Sequence, residues 1–206
     1  MFDRDGLKLD GWPENYDQCT EIIHEYTGPL TTVLDVGAHQ GSLGLYAATR
    51  GAKSVICIEP NKQFFSVLWT NIERNNLWGT VIPFQVGVGN EHGIALLTDM
   101  KIGNVGDKIS IVPLAGLIKL FGPVDYLKID IEEYEYQIFR EENQALIESM
   151  NWVKFIDIEL HAPYGSEMER VKQLLTNCGF DLKVGKTGNP HYGPNRIYDC
   201  FRKRNL

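Results

Sequence analysis

The sequence predicts a doubly wound, mostly parallel α/β fold with helices on both faces of the sheet. Three observations carry this reading. Between about residues 30 and 185, short apolar runs alternate with amphipathic stretches, as βα units around a parallel sheet do. The first run, Thr31 to Val36, enters a glycine turn from which a helical stretch leaves, the junction where open α/β sheets take ligands. The last two apolar runs are joined by a Gly/Pro loop too short for a helical crossover, so that pair should be antiparallel.

Taken in order, Thr31 to Val36 reads as a buried strand and Ser42 to Arg50 as the helix behind it. Ser54 to Ile58 is a second strand. Asn61 is an N-cap candidate for a helix reaching about Asn75, with Phe64, Phe65, Leu68 and Ile72 near helical spacing. Val81 to Val86 is a third strand, followed by Gly87, Gly89 and Gly93. Ile94 to Leu97 and Ile109 to Val112 form a strand pair, and Leu114 to Phe121 a short helix. Asp125 to Asp130 is a fourth core strand, Tyr134 to Met150 a helix, and Trp152 to Leu160 a fifth strand. Glu167 to Asn177 is a helix that Gly179 stops, and Phe180 to Val184 and Ile197 to Phe201 are the closing pair across residues 186–194. Residues 1–29 read as a lid-like lead-in with one helix around Gln18 to Tyr26.

A chain of 206 residues fits one domain spanning 1–206. With 43% hydrophobic and 23% charged residues, a disordered or fibrous chain is excluded. Twenty basic against 27 acidic residues, a net charge of −7, argue against a nucleic-acid partner, which needs clustered Lys and Arg. The only basic cluster is Arg202-Lys203-Arg204 at the C-terminal end. Cys19, Cys57, Cys178 and Cys200 form no CxxC pair, which argues against zinc and fits a reducing compartment. The charged first residues carry no secretory signal, and no apolar run approaches membrane-spanning length. The expected location is the cytoplasm, without membrane attachment; a second copy of the chain is a further candidate partner.

The sharpest local signal is Asp35-Val36-Gly37-Ala38-His39-Gln40-Gly41. A dinucleotide loop needs G-x-G-x-x-G, but position 39 is His; a P-loop needs Gly-Lys-Ser/Thr, which does not follow Gly41. What remains, D-x-G-x-x-x-G, is the spacing associated with S-adenosyl-L-methionine, whose amino-acid tail the loop would wrap. A side chain at Gly37 is then expected to block that tail while leaving the sheet folded. His39 reads as a loop-orienting group. Glu59 ends the next strand, 22 residues after Gly37, where a carboxylate can accept from both ribose hydroxyls.

Lys128, Asp130 and Glu132 share one face of an otherwise apolar strand, since side chains alternate with period two. Asp157, Glu159 and His161 repeat the pattern on the fifth. Buried unpaired charge is costly, so these groups should pair with each other or with a ligand. Asp130, Glu132, Glu159 and His161 are therefore expected to meet at the edge of the sheet that carries the glycine loop. Carboxylates plus His suit Mg²⁺ or a transition ion, but no metal-ligand spacing is recognisable and no metal ligands are assigned.

These motifs resemble the FkbM-type S-adenosylmethionine-dependent methyltransferases. The likeness runs from the Asp35–Gly41 loop through Ile58-Glu59-Pro60-Asn61, Asn71 to Asn75, Val86-Gly87-Val88-Gly89 and Leu127 to Glu132, to Ile158-Glu159-Leu160-His161. The resemblance implies a Rossmann-like class I fold with a seven-stranded sheet whose last strand is antiparallel. It also implies methyl transfer to a hydroxyl of a sugar or small natural product, yielding S-adenosyl-L-homocysteine. Position by position, Asp35, Gly37, Ala38, His39 and Gly41 match the cofactor loop, and Glu59 with Pro60 the ribose acid. Val86-Gly87 matches the stretch near the adenine, and Asp130 and Glu132 the acidic pair after the fourth strand, Asp130 also facing the cofactor. The family pattern D-x-E-G-x-E has glycine where Glu133 stands here. His161, Asp130 and Glu132 are the candidate catalytic bases, His161 favoured by its ordinary pKa near 6.5. Two alternatives stand beside this reading: an RNA (tRNA) methyltransferase, and a cofactor-binding module without catalysis.

Overall fold

The computed structural model describes residues 2–4, 6–10, 28, 29, 31–161, 165–184 and 196–202. The chain starts with an antiparallel hairpin, β1 (Phe2–Arg4) and β2 (Leu7–Leu9), where an irregular lead-in was expected. Alternation explains the hairpin: Leu7 and Leu9 are buried on either side of the exposed Lys8. The expected helix at 18–26, the loop 186–194 and the basic end beyond Arg202 lie outside the described residues.

From there β3 (Thr32–Val36), α1 (Ser42–Thr49), β4 (Ser54–Ile58), α2 (Lys62–Arg74) and β5 (Val81–Phe84) follow the predicted order. Next come β6 (Gly87–Gly89), β7 (Gly93–Thr98), β8 (Lys101–Gly103), β9 (Asp107–Pro113) and α3 (Leu114–Phe121). Then β10 (Val124–Ile129), α4 (Glu135–Ile138), α5 (Gln144–Ser149) and a 3₁₀ turn (Met150–Trp152) lead to β11 (Val153–Leu160). The described chain closes with α6 (Ser166–Asn177), β12 (Phe180–Val184) and β13 (Arg196–Arg202).

Seven strands form the central sheet in the order β12-β13-β11-β10-β3-β4-β5. β10 pairs in parallel with β3 and β11, β3 with β4, and β4 with β5; β13 runs antiparallel to β11 and β12. Along β3, Val33 turns toward Leu45, Leu68 and Ile72 of α1 and α2, while Leu34 and Val36 join Leu117, Ile118 and Leu174 of α3 and α6. Alternate residues thus feed two core layers, one on each face, and the doubly wound prediction holds. At roughly 1.5–3 kcal/mol per fully buried aliphatic side chain, these layers dominate the favourable side of folding.

Two segments differ from expectation. The pair at 94–112 is part of a second, four-stranded sheet, β6-β9-β7-β8, because the glycine stretch at 87–89 pairs in parallel with β9. Gly87 needs to be small here: a Cβ would lie 2.7 Å from Ile111 and 3.1 Å from Ile109. The single helix expected over 134–150 is interrupted. Phe139 leaves the helical region with ψ 76°, and Asn143 starts a new helix by accepting from the Leu146 N–H at 3.2 Å. Among the described residues, no helix is long and apolar enough to cross a membrane.

Candidate active site

The loop between β3 and α1 is held by backbone. The N–H groups of Gly37 and Ala38 both donate to the Ile58 carbonyl, at 3.0 and 2.9 Å, which ties the loop to the end of β4. Gly37 (φ 78°), His39 (φ 52°) and Gly41 (φ 89°) adopt the left-handed region that makes the turn. At Gly37 no side chain fits, since a Cβ would sit 1.7 Å from the Asp130 carbonyl oxygen. The expectation that Gly37→Val spares the sheet is corrected on this ground: the collision is with the backbone after β10.

Asp35 has no exposed surface. Its Oδ2 accepts from the Gly44 N–H at 3.0 Å, and its Oδ1 lies 3.7 Å from Lys128 Nζ. Burial raises its pKa against the pull of Lys128. The carboxylate therefore pins α1 to β3 from beneath the loop.

Glu59, 5% exposed, receives two backbone N–H groups, His39 on Oε2 at 2.7 Å and Asn61 on Oε1 at 2.8 Å. Burial lifts its pKa to about 7 although both hydrogen bonds favour the charged form. Each oxygen keeps a second lone pair for a hydroxyl donor. Asn61 caps α2 as predicted, its side chain accepting from Gln63 and Phe64 N–H at 2.8 and 3.2 Å. His39 packs on Phe64 with ring centroids 3.7 Å apart, and burial followed by the charge of Lys128 takes its pKa down to about 4. The ring is therefore neutral at pH 7 and packed within the loop. Pro60 lies near Gly87, a Cβ there standing 3.8 Å from Pro60 Cβ, and Val86 is half-buried against the core.

Lys128 joins this loop to the second half of the site. Its Nζ donates to the Gly37 carbonyl at 2.6 Å and sits 3.3 Å from Asp130 Oδ2. β10 ends at Ile129, so Glu132 does not come from continued strand alternation; that expectation is corrected. After Asp130 the chain turns through Glu132 (φ 55°) and Glu133 (φ 77°). The left-handed backbone at 133 explains why glycine suits this position. Here the strained residue is tied down instead, Glu133 Oε1 accepting from Lys101 of β8 at 2.5 Å.

The turn delivers Glu132 to the same place as Asp130. His161 Nε2 lies 3.5 Å from Asp130 Oδ1, 3.6 Å from Glu132 Oε2 and 3.8 Å from Glu159 Oε1. The four residues expected to meet do so. His161 Nδ1 stands 3.1 Å from Glu135 Oε1, which also accepts from the Ile131 N–H at 2.9 Å. Burial disfavours the charged ring, but the hydrogen bond and charge of Glu135, helped by Asp130 and Glu132, outweigh it and raise the pKa to about 9. Glu132 is raised as well, chiefly by burial. Asp157 stays apart, bonded to the Tyr126 hydroxyl at 3.0 Å within the sheet.

Lys128 and Glu135 are the residues sequence reasoning passed over as site members. Glu135 fills the last acidic position of the D-x-E-G-x-E pattern, which was the available signal.

Comparisons with known proteins fit this arrangement. Residues 101–182 match the family model described as Methyltransferase FkbM domain, and residues 18–100 match one described as Conserved hypothetical protein 95. Magnesium protoporphyrin IX methyltransferase from Synechocystis PCC 6803, solved with bound SAM, is 14% identical with a TM-score of 0.58, covering 92% of this chain and 80% of that one. Trm5b from Pyrococcus abyssi is 16% identical, TM-score 0.56, over 96% of this chain and 54% of that one. Methyltransferase FkbM from Methylobacillus flagellatus KT is 18% identical, TM-score 0.56, over 87% and 50%. The chain thus spans about half the length of the last two. The solved structures share the fold of this chain, a Rossmann-like α/β sheet found here in methyltransferases, one of them holding SAM. Over residues 101–182, which carry the acidic turn, the chain is similar to the FkbM methyltransferase domain, the family its motifs resembled.

Proposed function

We propose that this protein is an S-adenosylmethionine-dependent methyltransferase that moves the sulfonium methyl group to a hydroxyl oxygen of a sugar or small natural product, leaving S-adenosyl-L-homocysteine. One observation carries the reading: Lys128 bridges the Gly37 carbonyl and the Asp130 carboxylate, so the cofactor loop and the acidic cluster form one continuous edge. The amino-acid tail would lie along Gly37–Gly41 and the ribose hydroxyls on Glu59, with Val86 and Gly87 beside the adenine. Asp130 would face the cationic end of the cofactor.

The methyl group is already activated, so the protein's task is to align the hydroxyl behind it and remove one proton. The O–CH₃ bond forms as the S–CH₃ bond breaks, the sulfonium becomes a thioether, and the hydroxyl proton goes to a base. With its pKa near 9, His161 already carries a proton at neutral pH and is poorly suited to that step. Glu132, pushed above the ordinary carboxylate range by burial, is the better acceptor, and His161 balances its charge from 3.6 Å. Alignment supplies most of the acceleration and the base about 10²–10⁴-fold.

The test is label transfer. The protein is incubated with methyl-labelled S-adenosylmethionine and either hydroxylated sugars and natural products or total RNA, and products are read by mass spectrometry. Label on a hydroxyl oxygen of a small acceptor supports the reading. Label on RNA alone replaces the acceptor class, and cofactor binding without any transfer would leave a binding module.

A further inference from the structure

We propose that the ends of β10 and β11 hold a divalent cation of the Mg²⁺ or Mn²⁺ type, ligated by Asp130, Glu159 and His161. Each residue offers one ligand atom, and these atoms lie within 4.8 Å of one another. Glu132 Oε2, 3.6 Å from the same imidazole nitrogen, stands within reach as a fourth oxygen. Sequence inspection assigned no ligands because the set comes from two strand ends and has no motif spacing of its own.

The geometry around His161 points to an ion. Its side chain is only 8% exposed, and Nε2 is aimed among three carboxylates. The oxygens stand 3.5, 3.6 and 3.8 Å away, all beyond the roughly 2.7–2.9 Å of a charge-assisted N–H···O⁻ bond. This nitrogen therefore faces acceptors without making a hydrogen bond to any of the three.

A separate observation comes from behind the ring. Glu135, with no exposed surface, holds Nδ1 at 3.1 Å, and its buried Oε2 has no hydrogen-bond partner among the described residues. A carboxylate on the rear nitrogen is how ligating histidines are oriented and their basicity raised, because it fixes the tautomer that points the other lone pair at the ion.

The dimensions suit a six-coordinate ion. With ligands at about 2.1 Å, adjacent ligand atoms stand about 3.0 Å apart and opposite ones about 4.2 Å. Small side-chain rotations would bring the three groups to those spacings. The donor set, two carboxylates and one imidazole, suits Mn²⁺ well and Mg²⁺ with water completing the shell. In charge terms the ion would replace a proton on Nε2, adding one further positive charge among four carboxylates.

The existence of this site does not depend on methyl transfer. Its use does rest on the proposed function: a cation here would polarise the acceptor hydroxyl beside Glu132.

The experiment uses the full chain, stripped with EDTA and titrated with Mn²⁺ while electron paramagnetic resonance follows the free ion. The wild type should sequester one Mn²⁺ per chain. Glu159→Gln and Asp130→Asn should each weaken binding at least tenfold, Glu135→Gln by about 10–100-fold, and exposed Glu91→Gln not at all. Circular dichroism checks that each variant is folded; should one fail, the other ligand variant carries the test. No sequestration by the wild type overturns the site, as does equal weakening by Glu159→Gln and Glu91→Gln. Titrating the stripped protein with S-adenosylmethionine separates the two claims. Cofactor binding without Mn²⁺ binding removes the metal and spares the methyltransferase reading, and the converse result does the reverse.

Discussion

The loop after β3 and the turn after β10 meet across Lys128, yet they are held in opposite ways. In the loop, backbone does the holding: Gly37 and Ala38 donate to the Ile58 carbonyl, and Glu59 is fixed by the N–H groups of His39 and Asn61. In the turn, side chains face side chains, with three carboxylate oxygens 3.5–3.8 Å from one imidazole nitrogen. Backbone hydrogen bonds fix a shape, which suits a cofactor that is the same in every turnover. Carboxylates spaced beyond hydrogen-bond length keep charge available, which suits proton removal. On the proposed function, the difference divides binding from chemistry within one edge of the sheet.

Mutation should separate the two halves. Glu132→Gln removes the proton acceptor and should lower turnover by roughly 10²–10⁴-fold while cofactor affinity stays within a factor of two or so, because a base acts in the transition state. Steady-state kinetics paired with calorimetry tests this; a parallel loss of affinity would mean that Glu132 itself binds cofactor. Gly37→Ala should act on the fold. The added methyl meets the Asp130 carbonyl at 1.7 Å in a left-handed residue, so a loss of about 3 kcal/mol or more is expected in denaturant unfolding. An unchanged midpoint would show that the loop yields.

The charge on each side also predicts a pH trend. The folded pKa values of His161 (about 9), Glu59 and Asp157 (about 7 each) all lie above their ordinary values of 6.5, 4.5 and 3.8. In each case the folded state binds protons more tightly than the unfolded chain, so stability falls as pH rises. The contribution of His161 is complete below about 6.5 and is lost as pH climbs through about 9. Those of Glu59 and Asp157 are lost from about 4 to 7. Thermal unfolding at pH 5.5 and pH 9 should give the higher midpoint at the lower pH; the opposite order would show that His161 is not held as a cation. The smallest effect belongs to the cap beside the loop. Asn61→Ala should cost about 1 kcal/mol by removing the acceptor of the Gln63 and Phe64 N–H groups. A loss several times larger would show that the hydrogen bond from its Nδ2 to the Asp99 carbonyl at 2.5 Å also holds the fold.

The loop was the more legible half, because its elements are local in sequence. A strand, a left-handed glycine turn and a helix lie within a dozen residues or so, and Glu59 follows one βα unit later. The two core layers were legible too, since Val33 and Leu34 alternate between faces as a parallel strand requires. The turn was half legible. Asp130 and His161 could be placed at neighbouring strand ends, but strand alternation mistook how Glu132 arrives, because nothing in apolar patterning marks a left-handed pair at 132 and 133. The glycine usual at 133 marks the left-handed backbone there, but the sequence reading did not connect it with a turn. Glu135 was hidden for another reason: its partner His161 lies 26 positions away, a contact that no local pattern announces. The second sheet escaped because β6 pairs in parallel with β9, a contact no local signal announces.

The most direct test of the account is calorimetric titration of S-adenosylmethionine into the wild type and Glu59→Ala. The loop reading predicts binding by the wild type. Without the buried acceptor for the ribose hydroxyls, affinity should drop by about 10–150-fold, equivalent to 1.5–3 kcal/mol for a charged hydrogen bond. Equal affinity in the two proteins, or no binding by the wild type, would contradict it.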